Sequence, residues 1–311
     1  MTENLTPNGA SISRGHLALL LVTAAMTTLL IILGSVVCIA DASAACPDWP
    51  GCYGRAVPPL EIKAILEYTH RLVAGLTTPL IVAAAIVGWR RARHLPWVSR
   101  PPLLAIIFVL AVIVFGALVV LRGLPRGAAA ADLGSALIVL ALMVTAALAA
   151  YVQVQRPGPA LHLSWRTPLG ELSLAALVAV YLVLVGSVLV AEPGSVVRCL
   201  SWPSYRMPGT AHVTRSVLAG VASLLVLGVA ATAWRARNRR PALAPTALAA
   251  GLLLIIATLL PLLRPLDPAA AVTGTGATLS ILSSAAAVLL WASVVTLALL
   301  SGLPPSGQTG G

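Results

Sequence analysis

Eight apolar runs, each long enough to cross about 30 Å of hydrocarbon as a helix, constrain this chain more than any other feature. They extend from Leu17 to Ala40, Ile62 to Trp89, Leu103 to Leu121, Ala128 to Val152, Leu172 to Ala191, Ala211 to Trp234, Leu243 to Leu263, and Val272 to Leu300. In lipid the backbone must satisfy its own hydrogen bonds, so runs of this length and composition become helices. The expected fold is all-α, a polytopic membrane protein with eight transmembrane helices. The first run is long enough to span, and we read it as a retained helix rather than a cleaved signal.

Charge fixes the expected orientation. Arg14, Arg90, Arg91, Arg93, Arg100, Arg156, Arg166, Arg235, Arg237, Arg239 and Arg240 all fall on one side of an eight-span arrangement. By the positive-inside rule that side is cytoplasmic, together with both termini, in a cell (inner or plasma) membrane. Lys plus Arg outnumber Asp plus Glu by 20 to 9. This excess is explained by topology and by contact with anionic lipids, and nucleic acid is not an expected partner. The tryptophans Trp89, Trp97, Trp165 and Trp234 suit an interfacial belt, and His16, His94 and His162 read as surface or interface histidines of the cytoplasmic side.

The chain also repeats itself once. Gly34-Ser35-Val36-Val37 is echoed by Gly186-Ser187-Val188-Leu189, and Cys46-Pro47-Asp48-Trp49-Pro50 by Cys199-Leu200-Ser201-Trp202-Pro203. His70-Arg71-Leu72-Val73-Ala74-Gly75 is echoed, with a small offset, by Thr214-Arg215-Ser216-Val217-Leu218-Ala219-Gly220. Each copy holds an even number of spans and starts on the same side. The expected organisation is an N-terminal four-helix half (1–152), a cytoplasmic linker (153–168) and a C-terminal four-helix half (169–311). The halves would be tandem bundles related by a pseudo-twofold along the membrane normal.

Chemistry concentrates between Cys46 and Gly75. Cys46 and Cys52 sit in the first outer loop, where an oxidising compartment permits a disulfide; two unpaired thiols held by the Trp-Pro loop are the alternative. Glu67, His70 and Arg71 stand at i, i+3 and i+4 and share one face of the second helix. His70 lies about eight residues, or roughly 12 Å, below the outer surface. Ionisable groups at that depth are functional candidates. Two readings follow from spacing: an iron ligand at His70 with Glu67 as a proton-handling group, or a Glu67–Arg71 ion pair beside a hydrogen-bonded His70.

The loop Cys46-Pro47-Asp48-Trp49-Pro50-Gly51-Cys52 and the helix motif Glu67-Tyr68-Thr69-His70-Arg71, on eight helices in two tandem halves, resemble the heme A synthase family. That resemblance implies a membrane oxidoreductase that oxidises the C8 methyl of heme O toward the formyl of heme A for terminal oxidases. Each half of such a protein offers histidines from its second and fourth helices to a heme, the first half receiving the heme O-type substrate and the second holding heme b. By position, His70 becomes the first-half iron ligand, Glu67 the carboxylate of the oxidation step, and Cys46 and Cys52 the outer-loop pair. Arg71 joins the cofactor-binding set. Implied partners are the heme substrate, heme O synthase, oxidase assembly proteins or a second copy of the chain, besides membrane lipids.

The chain departs from the family pattern at several positions. Asp132 stands seven residues after Pro125, where the family has a histidine, and is either the counter-charge of Arg71, a cavity-lining group or a ligand. Thr214 and Gly274 occupy the second-half ligand positions. His212 is two residues from Thr214, about 200° around a helix, and is carried as a cofactor-binding candidate. Tyr205 replaces the second cysteine of the echoed loop, so Cys199 pairs with Cys38, with another chain, or with nothing. The alternative function is a non-catalytic, diverged paralogue that binds heme or serves as a membrane subunit or assembly factor of a respiratory oxidase. A transporter is a third class, for which the sequence shows no broken helices in corresponding positions.

Overall fold

A computed structural model describes residues 12–123, 125–190, 210–238, 240–263 and 273–304, the side chains of 210–212 excepted. It contains eight long apolar helices: α1 (Arg14–Ile39), α2 (Ile62–Arg91), α3 (Pro96–Leu121), α4 (Arg126–Gln155), α5 (Pro168–Val190), α6 (Thr210–Arg235), α7 (Leu243–Leu259) and α8 (Gly274–Gly302). No strand occurs among the described residues, and the protein is a multi-pass membrane protein.

Helix ends follow local chemistry. Ser13 caps α1 by accepting from the His16 backbone N–H at 3.2 Å, and Thr167 accepts from the Gly170 N–H at 3.0 Å at the start of α5. Arg90 and Arg91 close α2 at the negative end of its dipole. α3 begins seven residues before the expected run, with Pro96 in its first turn and Pro101 and Pro102 inside it. Proline is well placed at a helix start, where N–H groups lack intrahelical partners. Within the spans, hydroxyls bond their own helix, as from Thr23 to the Leu19 carbonyl at 2.7 Å and from Thr77 to that of Val73 at 2.7 Å. No polar hydrogen at these positions is then left in hydrocarbon.

Antiparallel neighbours close into two rings. α1 packs on α2 and α4, and α3 joins α2 to α4; α5 packs on α6 and α8, and α7 joins α6 to α8. The rings meet through α4 on α5, α1 on α8, and α4 on α8. Exchanging α1–α4 for α5–α8 turns the α4–α5 contact into the α8–α1 contact and returns the α4–α8 contact to itself. At the seam, the Trp291 indole N–H donates to the Leu137 carbonyl at 2.9 Å, and Tyr181 packs on Trp291. Gly134 must be small here, because a Cβ would come within 2.7 Å of the Tyr181 hydroxyl.

Two sequence expectations at the arginine-rich end change. His16 is buried, with Nε2 unpartnered, because it faces into the bundle in the first turn of α1; His94 and His162 are exposed as expected. Trp89 and Trp234 face outward, whereas Trp97 and Trp165 pack edge-to-face and the Trp165 N–H donates to the Ala298 carbonyl at 2.7 Å. A carbonyl near the end of α8 gives Trp165 a better partner than the interface does.

Candidate functional site

The site is built from the disulfide loop downward. Cys46 and Cys52 form a disulfide with an S–S distance of 2.00 Å, and both are fully buried against Ala64 and Tyr68. Cys38 is disulfide-bonded too; Cys199 and Tyr205 lie outside the described residues. Inside the loop, the Asp48 carboxylate accepts from the backbone N–H groups of Tyr53 and Gly54, each at 2.6 Å. It thereby holds the two residues whose φ angles are left-handed, 58° and 60°. The Gly54 N–H keeps the Asp48 carboxyl below the usual carboxylate range, helped by the Tyr53 N–H and Arg71 and opposed by desolvation.

Two side chains of α2 fasten this loop to the helix. The Tyr68 hydroxyl donates to the Ala56 carbonyl at 2.7 Å. Arg71 donates from Nη1 to the carbonyls of Asp48, at 2.6 Å, and of Gly51, and from Nη2 to that of Cys46 at 3.2 Å. Its Nε donates to Oε1 of Glu67 at 3.0 Å, an ion pair one helical turn apart. Arg71 therefore serves the loop and Glu67. The counter-charge expected of Asp132 is supplied by Glu67 instead, because i,i+4 neighbours on one helix meet without bridging the bundle.

Around that pair lie polar atoms with no hydrogen-bond partner among the described residues. Glu67 is 5% exposed, and its Oε2 makes no hydrogen bond among the described residues. The His70 ring lies against Gly34 of α1, where a Cβ would come within 3.3 Å of Cε1, and its Nδ1 is buried without a hydrogen-bond partner. The expected alternative of a hydrogen-bonded His70 is not what the fold provides at Nδ1. On α4, Oδ1 of Asp132 is likewise buried and unpartnered, next to Gly116 of α3. α2 and α4 stand diagonally across the first ring and form no packed interface.

Packing density differs along this ring. At the arginine-rich end Ala84, Ala85, Ala105, Met143 and Ala146 are fully buried. At the loop end, residues 32–36, 115–120 and 131–133 are all half-buried. Unpartnered imidazole and carboxylate atoms cost free energy unless something meets them. A loosely packed end with such groups on diagonal helices fits a large planar ligand carrying a metal at its centre.

The second ring is arranged differently. Arg215, the echo of Arg71, is 3% exposed and donates from Nε to the Ser187 hydroxyl at 3.1 Å. The position one turn earlier is Ala211, where the first half has Glu67. Thr214 is exposed, and Gly274 is the first residue of α8, with φ 51°. Ala222, Ala257 and Ser280 are fully buried at the end of the ring that corresponds to the first-half site, with Ser283 and Ser284 nearly so. His212 lies in the first turn of α6, its side chain outside the described residues. Among the described residues this ring presents no imidazole. No cluster of three His, Cys, Asp or Glu side chains suited to a bare metal ion occurs among the described residues either.

Of the residues named from the sequence, Cys46 and Cys52 are paired in the structure, Glu67 and His70 lie on α2 and Asp132 lies on α4. Sequence reasoning missed the support groups: Asp48, Tyr68, and the carbonyls that Arg71 binds. The Asp48 signal was present, an aspartate shortly before Tyr-Gly in a turn-rich loop, which is a pattern for side-chain capping of backbone N–H groups.

Comparison with known proteins agrees with this arrangement. Residues 18–65 match the COX15-CtaA family model, described as a cytochrome oxidase assembly protein. The chain is 32% identical over 114 residues to a heme A synthase of Halalkalibacterium halodurans, covering 36% of this chain and 38% of that protein. It is 29% identical over 185 residues to the heme A synthase of Lysinibacillus sphaericus, covering 58% and 60%. With that of Exiguobacterium sp. it is 27% identical over 218 residues, covering 68% and 71%. The matches to the first two thus span less than two thirds of those relatives. Eight apolar helices, the disulfide loop clamped to the Glu67–Arg71 turn, and these matches together make the chain similar to heme A synthases.

Proposed function

We propose that this protein works in heme A biosynthesis, as a membrane oxidoreductase that oxidises the C8 methyl of heme O toward the formyl of heme A. The observation that carries this reading is the pair of buried, unpartnered atoms, Nδ1 of His70 and Oδ1 of Asp132, on diagonal helices of a loosely packed ring end. The substrate heme sits in the first half with its iron at His70, and Asp132 lines the opposite wall. Converting methyl to formyl breaks two C–H bonds and forms one C=O bond: R–CH3 + H2O gives R–CHO, four protons and four electrons. The electrons pass to one-electron carriers of the membrane. Glu67 takes up protons at Oε2, while Arg71 fixes its orientation through Oε1.

In this reading the halves are tandem bundles, 1–152 and 169–311, joined by a cytoplasmic linker and related by a pseudo-twofold. Both termini are cytoplasmic, and the site faces the outer side. Partners are heme O synthase, oxidase assembly proteins or a second copy of the chain. The second half acts as scaffold, with Arg215 and its serines filling the place of a cofactor heme.

One observation favours a non-catalytic reading, a diverged paralogue that binds heme or serves as a membrane subunit or assembly factor of a respiratory oxidase: the second ring lacks imidazole at both repeat-related positions, Thr214 and Gly274. The two readings differ in a direct assay. Expressed in a host that makes heme O but lacks its own synthase, the chain is expected to yield heme A in extracted pigments. It should purify with one heme per chain at most, and lose that heme on His70→Ala. Heme bound without heme A formation supports the non-catalytic reading, and no heme uptake at all overturns the enzymatic one.

A further inference from the structure

A groove of about 290 Å3 lies between α2 and α3, lined by Ala85, Ile86, Trp89, Arg90, Leu103 and Ile106. It is remote from the candidate site: Trp89 follows Glu67 by 22 residues of continuous helix, about 33 Å. The walls are apolar. Ala85 is fully buried, while Ile86 and Trp89 are 47% and 58% exposed on the bundle's outer surface. In a membrane-spanning protein that surface faces acyl chains, so the groove is a slot for one of them.

The rim distinguishes this groove from ordinary lipid-facing surface. Arg90 lines it, and Arg91, Arg93 and Arg100 belong to the same helical hairpin. No Asp or Glu occurs in the sequence between Glu67 and Asp132, and none of these four arginines makes an ion pair among the described residues. An arginine beside an acyl slot lays its stem along the apolar wall and reaches its guanidinium toward the headgroup layer. Guanidinium pairs with phosphate through two parallel N–H donors, and the indole of a neighbouring Trp suits the ester and glycerol level. We propose that the groove between α2 and α3 binds an anionic phospholipid, whose acyl chain fills the slot and whose phosphate is held by Arg90.

Trp89 serves as the probe. The full chain is reconstituted in phosphatidylcholine vesicles containing brominated phosphatidylglycerol or brominated phosphatidylcholine, and the Trp89 signal is taken as wild type minus Trp89→Phe. Brominated phosphatidylglycerol should quench it at a mole fraction about fivefold lower than brominated phosphatidylcholine, the preference expected for one basic residue near the surface. Arg90→Ala should reduce the two curves to coincidence. Arg235→Ala, at the same end of the bundle but outside the groove, should leave the preference intact. Coincident curves for wild type overturn the proposal, and so does a loss of preference in Arg235→Ala equal to that in Arg90→Ala, which marks a diffuse basic belt. Absence of quenching by either lipid overturns it as well, because the groove is then covered by protein. None of these readouts depends on heme.

Discussion

Arg71 holds Glu67 at 3.0 Å through Nε and uses its other two nitrogens to bind three carbonyls of the disulfide loop. One guanidinium thus joins the disulfide loop to the candidate catalytic carboxylate, and a change at either end is felt at the other. Arg71→Ala removes the loop anchor and leaves a buried carboxylate without its counter-ion, an effect of about 3–5 kcal/mol in comparable pairs. Thermal unfolding in detergent should show the loss, with protease cleavage appearing between residues 46 and 61. Arg71→Lys should fall between, because an ammonium cannot reproduce the fork. An Arg71→Ala protein as stable as wild type would remove the clamp from the account.

Glu67→Gln separates the clamp from proton handling. The amide oxygen still accepts from Arg71 Nε, so the loop should stay in place and the unfolding temperature change little. Heme A formation should fall by two orders of magnitude or more, roughly the range for loss of a positioned acid or base. Equal activity of the Gln variant would exclude Glu67 from proton transfer.

Gly34 tests the seat of His70. A Cβ at position 34 meets Cε1 of the ring at 3.3 Å, a distance that Ala achieves with a few tenths of an ångström of movement and that Val does not. Gly34→Ala should retain most heme binding, and Gly34→Val should lose it while keeping helix content by circular dichroism. Equal heme binding in both variants would show that the ring is not positioned by α1.

The loop should be acid-sensitive through Asp48. Its carboxyl is held below the usual range, first by the Gly54 N–H and then by that of Tyr53. The charged form is therefore favoured in the folded loop. Its contribution is fully present above the ordinary carboxylate pKa, about 4, and is lost as pH falls through the lower folded value. Protease accessibility of the loop, followed from pH 7 downward, should rise only at the acid end. In Asp48→Asn the loop should be cleaved at neutral pH, with little further change on acidification. A wild-type loop that opens at pH 5 or above would exclude Asp48 as the controlling group.

How much of this was legible in sequence depends on the kind of interaction. The eight helices were, because twenty apolar residues in a row leave the backbone few alternatives in lipid. The Glu67–Arg71 pair was, because i,i+4 proximity is a property of any helix. The three carbonyls on Arg71 were not, since backbone acceptors carry no residue identity and are placed by the loop's own turns. Nor was the burial of His16: its side among arginines suggested surface, but helical phase decides which way a first-turn residue faces. The start of α3 was not legible from the apolar run beginning at Leu103, because the helix begins seven residues earlier at Pro96. The contrast between the rings was half legible. Missing histidines were visible at 132, 214 and 274, whereas the burial of Arg215 and of Ser280, Ser283 and Ser284 needed the fold.

The sharpest test of the first-half site is to restore what the family pattern carries at position 132. Asp132 stands on α4 with Oδ1 buried and unpartnered, diagonal to His70 on α2, and the two helices leave the space between them unfilled by mutual packing. With one imidazole available, a bound heme should be high-spin. D132H supplies a second imidazole from the opposite wall, a common axial ligand, in place of a hard carboxylate oxygen. The expected result is a shift of the bound heme to a low-spin, bis-imidazole absorption and electron paramagnetic resonance signature, with tighter retention through purification. His70→Ala in the same background should return it to a single-ligand form. Asp132→Ala should lose the unpartnered carboxylate without creating the low-spin signal, which separates ligation from relief of a buried polar group. A D132H protein whose spectrum matches wild type would mean that α4 does not face the iron, and the assignment of the substrate heme to the space between α2 and α4 would fall with it.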